Sequence, residues 1–270
     1  MNDITIIAEY LLTLVMAGLD TGTFLDLLQP MTDQHEHISK KWSMDPNDPM
    51  LYWILRDADF RAWESANNLQ VLWIFGGPPG CAITGVSSHI AKQVASQRGG
   101  AVFYFSCSMD DSHDVTGFTH FILRHILDGS NSLQAKLIIK AFLSTLLQKI
   151  LERDQSCIPE DGSSTLTVEK MLNTSGGELL EALTDAVGEI KSIQDMVIII
   201  DGIDEIWQDG ALFFQKFCTK MKKSPMFKAL FTCRQDPDIK KIVGGVPCID
   251  YDKERHGLGT PYPQVVSRSN

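Results

Sequence analysis

Met196-Val-Ile-Ile-Ile200 is an apolar run with no polar alternation, the pattern of a strand buried on both faces of a parallel sheet. Val71-Leu-Trp-Ile-Phe75 reads the same way, and another strand is expected after Gly99-Gly100. Between strands the apolar period lengthens. Thr84–Ser96 sets Val86, Ile90 and Val94 on one side of a helix. Residues 133–153 set Leu137, Ala141, Ser144, Leu147 and Leu151 on one side of a longer one. Helices are also expected over 50–65, over 116–128, and over 166–192 in two pieces parted by Ser175-Gly-Gly177. The first thirty residues read as helical, with Ile7, Leu11, Leu14 and Val15 at helical spacing and Pro30 as the stop. Strands alternating with helices predict an α/β fold, a doubly wound parallel sheet with an N-terminal helical extension. Polar stretches at 31–49 and 154–165 read as linker and loop, and the Gly-, Pro- and Ser-rich end from Gly257 as disordered. The expected division is 1–49 helical segment and linker, 50–252 core, 253–270 tail.

Candidate chemistry sits where the 196–200 run stops, in Asp201-Gly-Ile-Asp-Glu205. Carboxylates at the carboxyl end of a buried parallel strand lie where α/β folds place ligands. In phosphoryl-transfer proteins the first such Asp holds Mg²⁺ and a nearby Glu can orient water. A plain acidic turn is the alternative, and an upstream partner outweighs it. Gly76-Gly-Pro-Pro-Gly80 lies between a strand and a helix. Set against the phosphate-loop pattern of Gly, four residues, then Gly-Lys-Ser/Thr, the chain offers Gly77, Pro78, Pro79, Gly80, Cys81, Ala82, Ile83 and Thr84. Gly77 and Thr84 match, while Gly-Lys has become Ala82-Ile83. A Cβ at 82 hinders close approach of backbone to phosphate, and Ile83 supplies no charge. A hydrogen bond to a charged group is worth about 1.5–3 kcal/mol, so its loss weakens binding by about tenfold or more.

With loop and acidic motif in this order, the chain resembles the NACHT class of STAND P-loop NTPases, in the nephrocystin-like form abundant in fungal multidomain proteins. The resemblance spans about residues 50–250 and implies a sheet of P-loop NTPase type. Trp53-Ile-Leu55 with Phe60 and Trp63 resembles the family's lead-in helix beside the first strand. Ala101–Cys107 resembles the second strand, and Phe227–Arg234 followed by Asp236-Pro-Asp-Ile239 resembles the sensor-1 strand and helix. Val246-Pro-Cys-Ile-Asp250 reads as a fifth strand. By resemblance, residues 77–84 would bind ATP or GTP with Mg²⁺, Thr84 and Asp201 would hold the metal, and Asp204 and Glu205 would polarise or position water. Arg234 would sit near the γ-phosphate. The helical and winged-helix regions and repeats of the family are not visible, so a short or truncated form is expected.

Composition narrows the partners. Net charge of −10 and a pI near 5.1 argue against a nucleic-acid surface. Lys220, Lys222, Lys223 and Lys228 read as a solvated helix end. Cysteines at 81, 107, 157, 218, 233 and 248 form no C-x-x-C pair, which suits reduced thiols in the cytoplasm and neither disulfides nor zinc. His35 and His37 read as surface residues, and His120 and His125 as helix residues without a catalytic role. Ile4–Leu19 lacks a basic flank and carries Glu9, so a packed amphipathic helix is preferred to a signal or membrane segment. The expected function is a nucleotide-binding or pseudo-NTPase module for signalling or assembly, with weak or no hydrolysis, docking on full-length relatives. A competent ATP- or GTP-hydrolysing switch and a truncated paralogue without selected activity are the alternatives.

Overall fold

The computed structural model describes residues 3–28, 49–65, 71–77, 83–98, 102–107, 115–128, 130–153, 168–189, 196–205, 215, 219, 227–234, 241 and 245–252. The linker at 31–48, the 154–165 loop, the tail from Gly257, His35, His37 and the helix expected after Arg234 lie outside them. The chain divides into two compact units, one made of Met1–Met31 with Asp114–Ile193, the other of Thr32–His113 with Gln194–Asn270.

The second unit is an α/β structure on a five-stranded, all-parallel sheet. Its strands are β1 (Val71–Phe75), β2 (Val102–Ser106), β3 (Met196–Asp201), β4 (Phe227–Cys233) and β5 (Cys248–Asp250), in the order β2-β3-β4-β1-β5. Register pairs Val71 with Ala229, Met196 with Phe227 and Val102 with Val197. Every residue of β1 is buried, as its unbroken apolar run required. Leu72, Ile74, Val197, Ile199, Leu230 and Ile249 share one face with Val86, Ile90 and Val94 of the helix over Ile83–Arg98, which therefore presents the side the sequence indicated.

The aromatic stretch before β1 is two helices, Pro49–Ile54 and Ala58–Ser65, and not the single helix expected over 50–65. Asp57 divides them: its Oδ1 accepts the backbone N–H of Asp59 at 2.8 Å and of Phe60 at 3.2 Å, capping the second helix. Ile54, Phe60 and Trp63 are buried in the β1 core, each contributing roughly 1.5–3 kcal/mol relative to exposure. Lys228 corrects another expectation. It is only 9% exposed, within β4, and its Nζ donates to the carbonyls of Trp63 at 2.6 Å and Glu64 at 2.9 Å. A cation on the last turn of a helix satisfies carbonyls that have no partner inside it. Lys220, Lys222 and Lys223 fall outside the described residues.

Elements of the first unit are α1 (Asp3–Ala17), α2 (Thr21–Leu27), α6 (Val115–Asp128), α7 (Ser132–Arg153), α8 (Val168–Leu172) and α9 (Gly176–Glu189); the helices of the second unit, in chain order, are α3, α4 and α5. Periodicity placed two apolar faces in part: Leu11 of α1 and Leu147 and Leu151 of α7 are buried as expected, and other positions differ. On α1, Ala8, Leu11 and Leu12 are buried while Leu14 is 45% exposed. On α7, Ile138, Phe142, Leu146 and Ile150 are buried and Leu137 is 50% exposed. Both helices carry two adjacent apolar stripes, and packing of α7 against α1 and α9 covers parts of both, leaving Leu137 and Leu14 outside. No single helix among the described residues is long and apolar enough to cross a membrane.

Ser175 caps α9 through its Oγ, which accepts the Glu178 N–H at 3.4 Å and donates to Glu178 Oε2 at 2.9 Å. The glycines expected to break the helix thus open it. Gly176 has a second reason: a Cβ there would lie 2.7 Å from both the Thr116 nitrogen and the Val115 Cβ. Gly176→Ala is expected to cost about 1–3 kcal/mol in chemical denaturation, as overpacking does. Gly18→Ala, where a Cβ meets nothing within 4 Å, is expected to leave stability within about 0.5 kcal/mol.

Candidate functional site

The chain leaves β1 for β2 at one edge of the sheet and leaves β4 for β5 at the other. Ligands of open parallel sheets bind outside the carboxyl ends of neighbouring strands whose connections diverge in this way. Here those strands are β1 and β4, and the residues just beyond them are Gly76-Gly77 and Arg234. Asp201 ends β3, on the other side of β4.

Asp201 is 1% exposed, and hydroxyls solvate it. Its Oδ1 accepts from Thr232 Oγ1 at 2.5 Å and from Ser87 Oγ at 3.0 Å, one donor from β4 and one from α5. Ser87 Oγ lies 3.0 Å from Tyr104 Oη of β2 and 2.9 Å from the Thr84 carbonyl, which shares the hydroxyl's single proton with Asp201. Burial raises the Asp201 pKa above the ordinary carboxylate range, opposed by hydrogen bonds from Thr232, Thr84, Ser87 and Tyr104. Burial and the Asp201 charge push the Tyr104 phenol far up, so it stays a neutral donor. Cys107 hydrogen-bonds through its backbone N–H to the Asp201 carbonyl at 2.9 Å. Burial, with Asp201, Glu205 and Asp204 nearby, raises its thiol well above normal and leaves it unreactive.

The rest of the acidic motif faces Arg234. Glu205 N–H donates to the Gly202 carbonyl at 2.8 Å, closing a tight turn over Ile203–Glu205. Gly202 N–H donates to Thr232 Oγ1 at 3.1 Å, so one hydroxyl joins the turn to the Asp201 carboxylate. Asp204 Oδ1 accepts the backbone N–H of Arg234 at 3.1 Å, and its Oδ2 accepts Arg234 Nε. Arg234 Nη2 lies 3.5 Å from Glu205 Oε1.

At the loop, Gly76 and Gly77 adopt φ of 111° and 82°, a region that a side chain disfavours. Gly76 N–H donates to the Cys233 carbonyl at 3.1 Å, and Gly77 N–H to Asp252 Oδ2 at 2.8 Å. Pro78, Pro79, Gly80, Cys81 and Ala82 lie outside the described residues. Ile83 is 9% exposed and packs into the apolar cluster with Val86 and Ile54. Of the residues indicated by sequence, the structure therefore gathers Gly77, Thr84, Asp201, Asp204, Glu205 and Arg234 at one end of the sheet. Ser87, Tyr104, Thr232 and Asp252 were missed. Only Ser87 carried a signal, one helical turn after Thr84.

Residues 50–141 match the family model described as nephrocystin 3, N-terminal. The match runs from α3 through β1, the glycine loop, α5, β2 and α6 into α7. This region is nephrocystin-like. No curated protein and no solved structure matches the chain.

A buried acid with a raised pKa holds its proton more readily folded than unfolded. Between the ordinary and the raised value its contribution to stability therefore falls as pH rises. Denaturation of the native chain and of Asp201→Asn across pH 3–7 is expected to give a difference that grows with pH in favour of the variant. A constant difference would contradict the shift.

Proposed function

We propose that the chain is a NACHT-like nucleotide-binding domain of P-loop NTPase type, a cytoplasmic pseudo-NTPase that serves signalling or assembly and hydrolyses slowly or not at all. The observation that carries this reading is the buried Asp201 carboxylate at the carboxyl end of β3, bonded by Ser87 Oγ of the helix that follows the glycine loop, whose first turn holds Thr84. Hard oxygen donors of this kind suit Mg²⁺, which commonly takes one or two carboxylates and completes its shell with substrate phosphates and water. Thr84 and Asp201 would hold the ion, and the ion, when bound, would neutralise charge on the terminal phosphates of ATP or GTP.

The protein's own groups divide the remaining work. Residues 77–84 lead into the N-terminus of the sixteen-residue helix α5, whose first amides and dipole favour a phosphate. Glu205, 37% exposed at its side chain, is reachable by water. Arg234, 43% exposed, adds a cation from the neighbouring strand. Position 83 adds none, because Ile83 points its bulk into the core cluster. That loss supports binding without efficient turnover, and a module that acts by docking on protein partners, full-length relatives being the proposed ones. Doubly wound topology agrees with the reading, since connections leave β1 and β4 in opposite directions.

Calorimetry with Mg·ATP and Mg·GTP tests the proposal on the native chain and on Ala82→Gly/Ile83→Lys. Weak binding by the native chain is expected, with the double variant about tenfold tighter or more. Because a lysine introduced at position 83 must leave an apolar cluster, a melting curve accompanies the comparison. Failure of both folded proteins to bind either nucleotide would sink the reading. The intact arrangement of Asp201 and Glu205 favours a competent NTPase as second reading, and phosphate release lost in Glu205→Gln would establish it.

A further inference from the structure

Among the described residues seven large apolar side chains are exposed, and five of them fall on two neighbouring helices of the first unit. Ile6, Tyr10 and Leu14 stand on α1 at spacings of four, one stripe along its outer side, with Tyr10 60% exposed. Leu133 and Leu137 stand on the first turns of α7 at the same spacing, with Leu133 70% exposed. Lys136 acts electrostatically on Asp20, just past the end of α1, so α7 starts where α1 ends. Packing within the chain is already served by the opposite faces, through Leu11 and Leu12 on α1 and Ile138 and Phe142 on α7. Single apolar residues on a surface need no explanation, whereas apolar stripes on adjoining elements mark a binding surface.

The charges beside the stripes indicate what covers them. Residues 3–28 hold four acids, Asp3, Glu9, Asp20 and Asp26, and no cation; Glu9 is exposed beside Tyr10. Residues 132–151 hold three lysines and no acid. Lys149 is taken by Glu181, while Lys136 and Lys140 are exposed beside Leu133 and Leu137. An apolar stripe edged with acid and one edged with lysine complement each other, and both belong to this chain. We propose that a second copy of the chain docks here, the α1 stripe of each protomer lying on the α7 stripe of the other, with Glu9 facing the partner's Lys136 and Lys140. A two-fold axis makes both contacts at once and leaves neither stripe open. Lipid fits the surface less well, because helices that lie on membranes carry Lys or Arg beside their apolar face and α1 has none. The dimer is built from the first unit alone and needs no nucleotide.

Sedimentation velocity over a concentration series tests the proposal on the full chain without nucleotide, where a dimer is expected. Glu9→Lys and Lys136→Glu/Lys140→Glu each set like charges against one another at both contacts, and each is expected to weaken the dimer by about tenfold or more. Mixed in equal amounts, the two variants are expected to pair with native-like affinity, because both contacts of the mixed dimer then join opposite charges. A purely structural effect of either substitution would not be undone by mixing. Melting curves accompany the series. Should a charge reversal unfold the chain, Tyr10→Ser and Leu137→Ser read the same surface and are expected to abolish the dimer. A native chain that stays monomeric, undiminished association in these variants, or a mixture no tighter than its components overturns the proposal. Flotation of a monomeric native chain with phosphatidylcholine vesicles overturns it as well, and gives the surface to lipid.

Discussion

A carboxylate that is 1% exposed must be solvated by the protein, and the carboxyl end of this sheet is organised around that requirement at Asp201. Thr232 from β4 and Ser87 from α5 supply the donors, and Tyr104 from β2 extends the network. Each such bond contributes about 0.5–1.5 kcal/mol on its own. Their greater effect is geometric, because they tie two strands and the first turn of α5, which holds Thr84, to one point. Thr232 also accepts the Gly202 N–H, so the acidic turn inherits its position from the same hydroxyl.

Strand β4 carries a disproportionate share of this order. It lies between β1 and β3, so it registers the glycine loop against the acidic motif. At its start Lys228 fastens the lead-in helix α4 by two carbonyls, and just past its end Arg234 meets Asp204. Trp73 Nε1 of β1 donates to Cys233 Sγ of β4 at 3.1 Å, a further tie beneath the loop. Beyond β5, Asp252 accepts the Gly77 N–H and holds the loop's first residues at positive φ. The candidate site and the fold are thus coupled through one central strand, and substitutions in β4 bear on both.

The sheet was legible because parallel strands buried on both faces must be apolar throughout, and Val71–Phe75 and Met196–Ile200 are. Thr84, Asp201 and Arg234 were legible because short motifs fix their places relative to strand ends. Asp57 as a helix divider was not read, since a single Asp within an aromatic stretch declares a cap only once its acceptor geometry is seen. Lys228 was misread for a related reason. Charge in a local window suggests solvent, while the carbonyls that accept it are 164 and 165 residues away. The hydroxyl shell of Asp201 spans separations of 31 and 114 residues and leaves no local trace. Leu137 and Leu14 show the limit of periodicity, which finds apolar stripes but cannot choose between adjacent ones until neighbours are known.

The central claim is that the Asp201 carboxylate, with Thr84, forms the metal end of a nucleotide site. Electron paramagnetic resonance of Mn²⁺ with ATP tests it most directly, in the native chain and in Asp201→Asn of demonstrated fold. The account predicts a protein-bound Mn²⁺ signal in the native chain only when ATP is present, and its loss in the variant. An equal signal in Asp201→Asn, or none in either protein at saturating nucleotide, would contradict it.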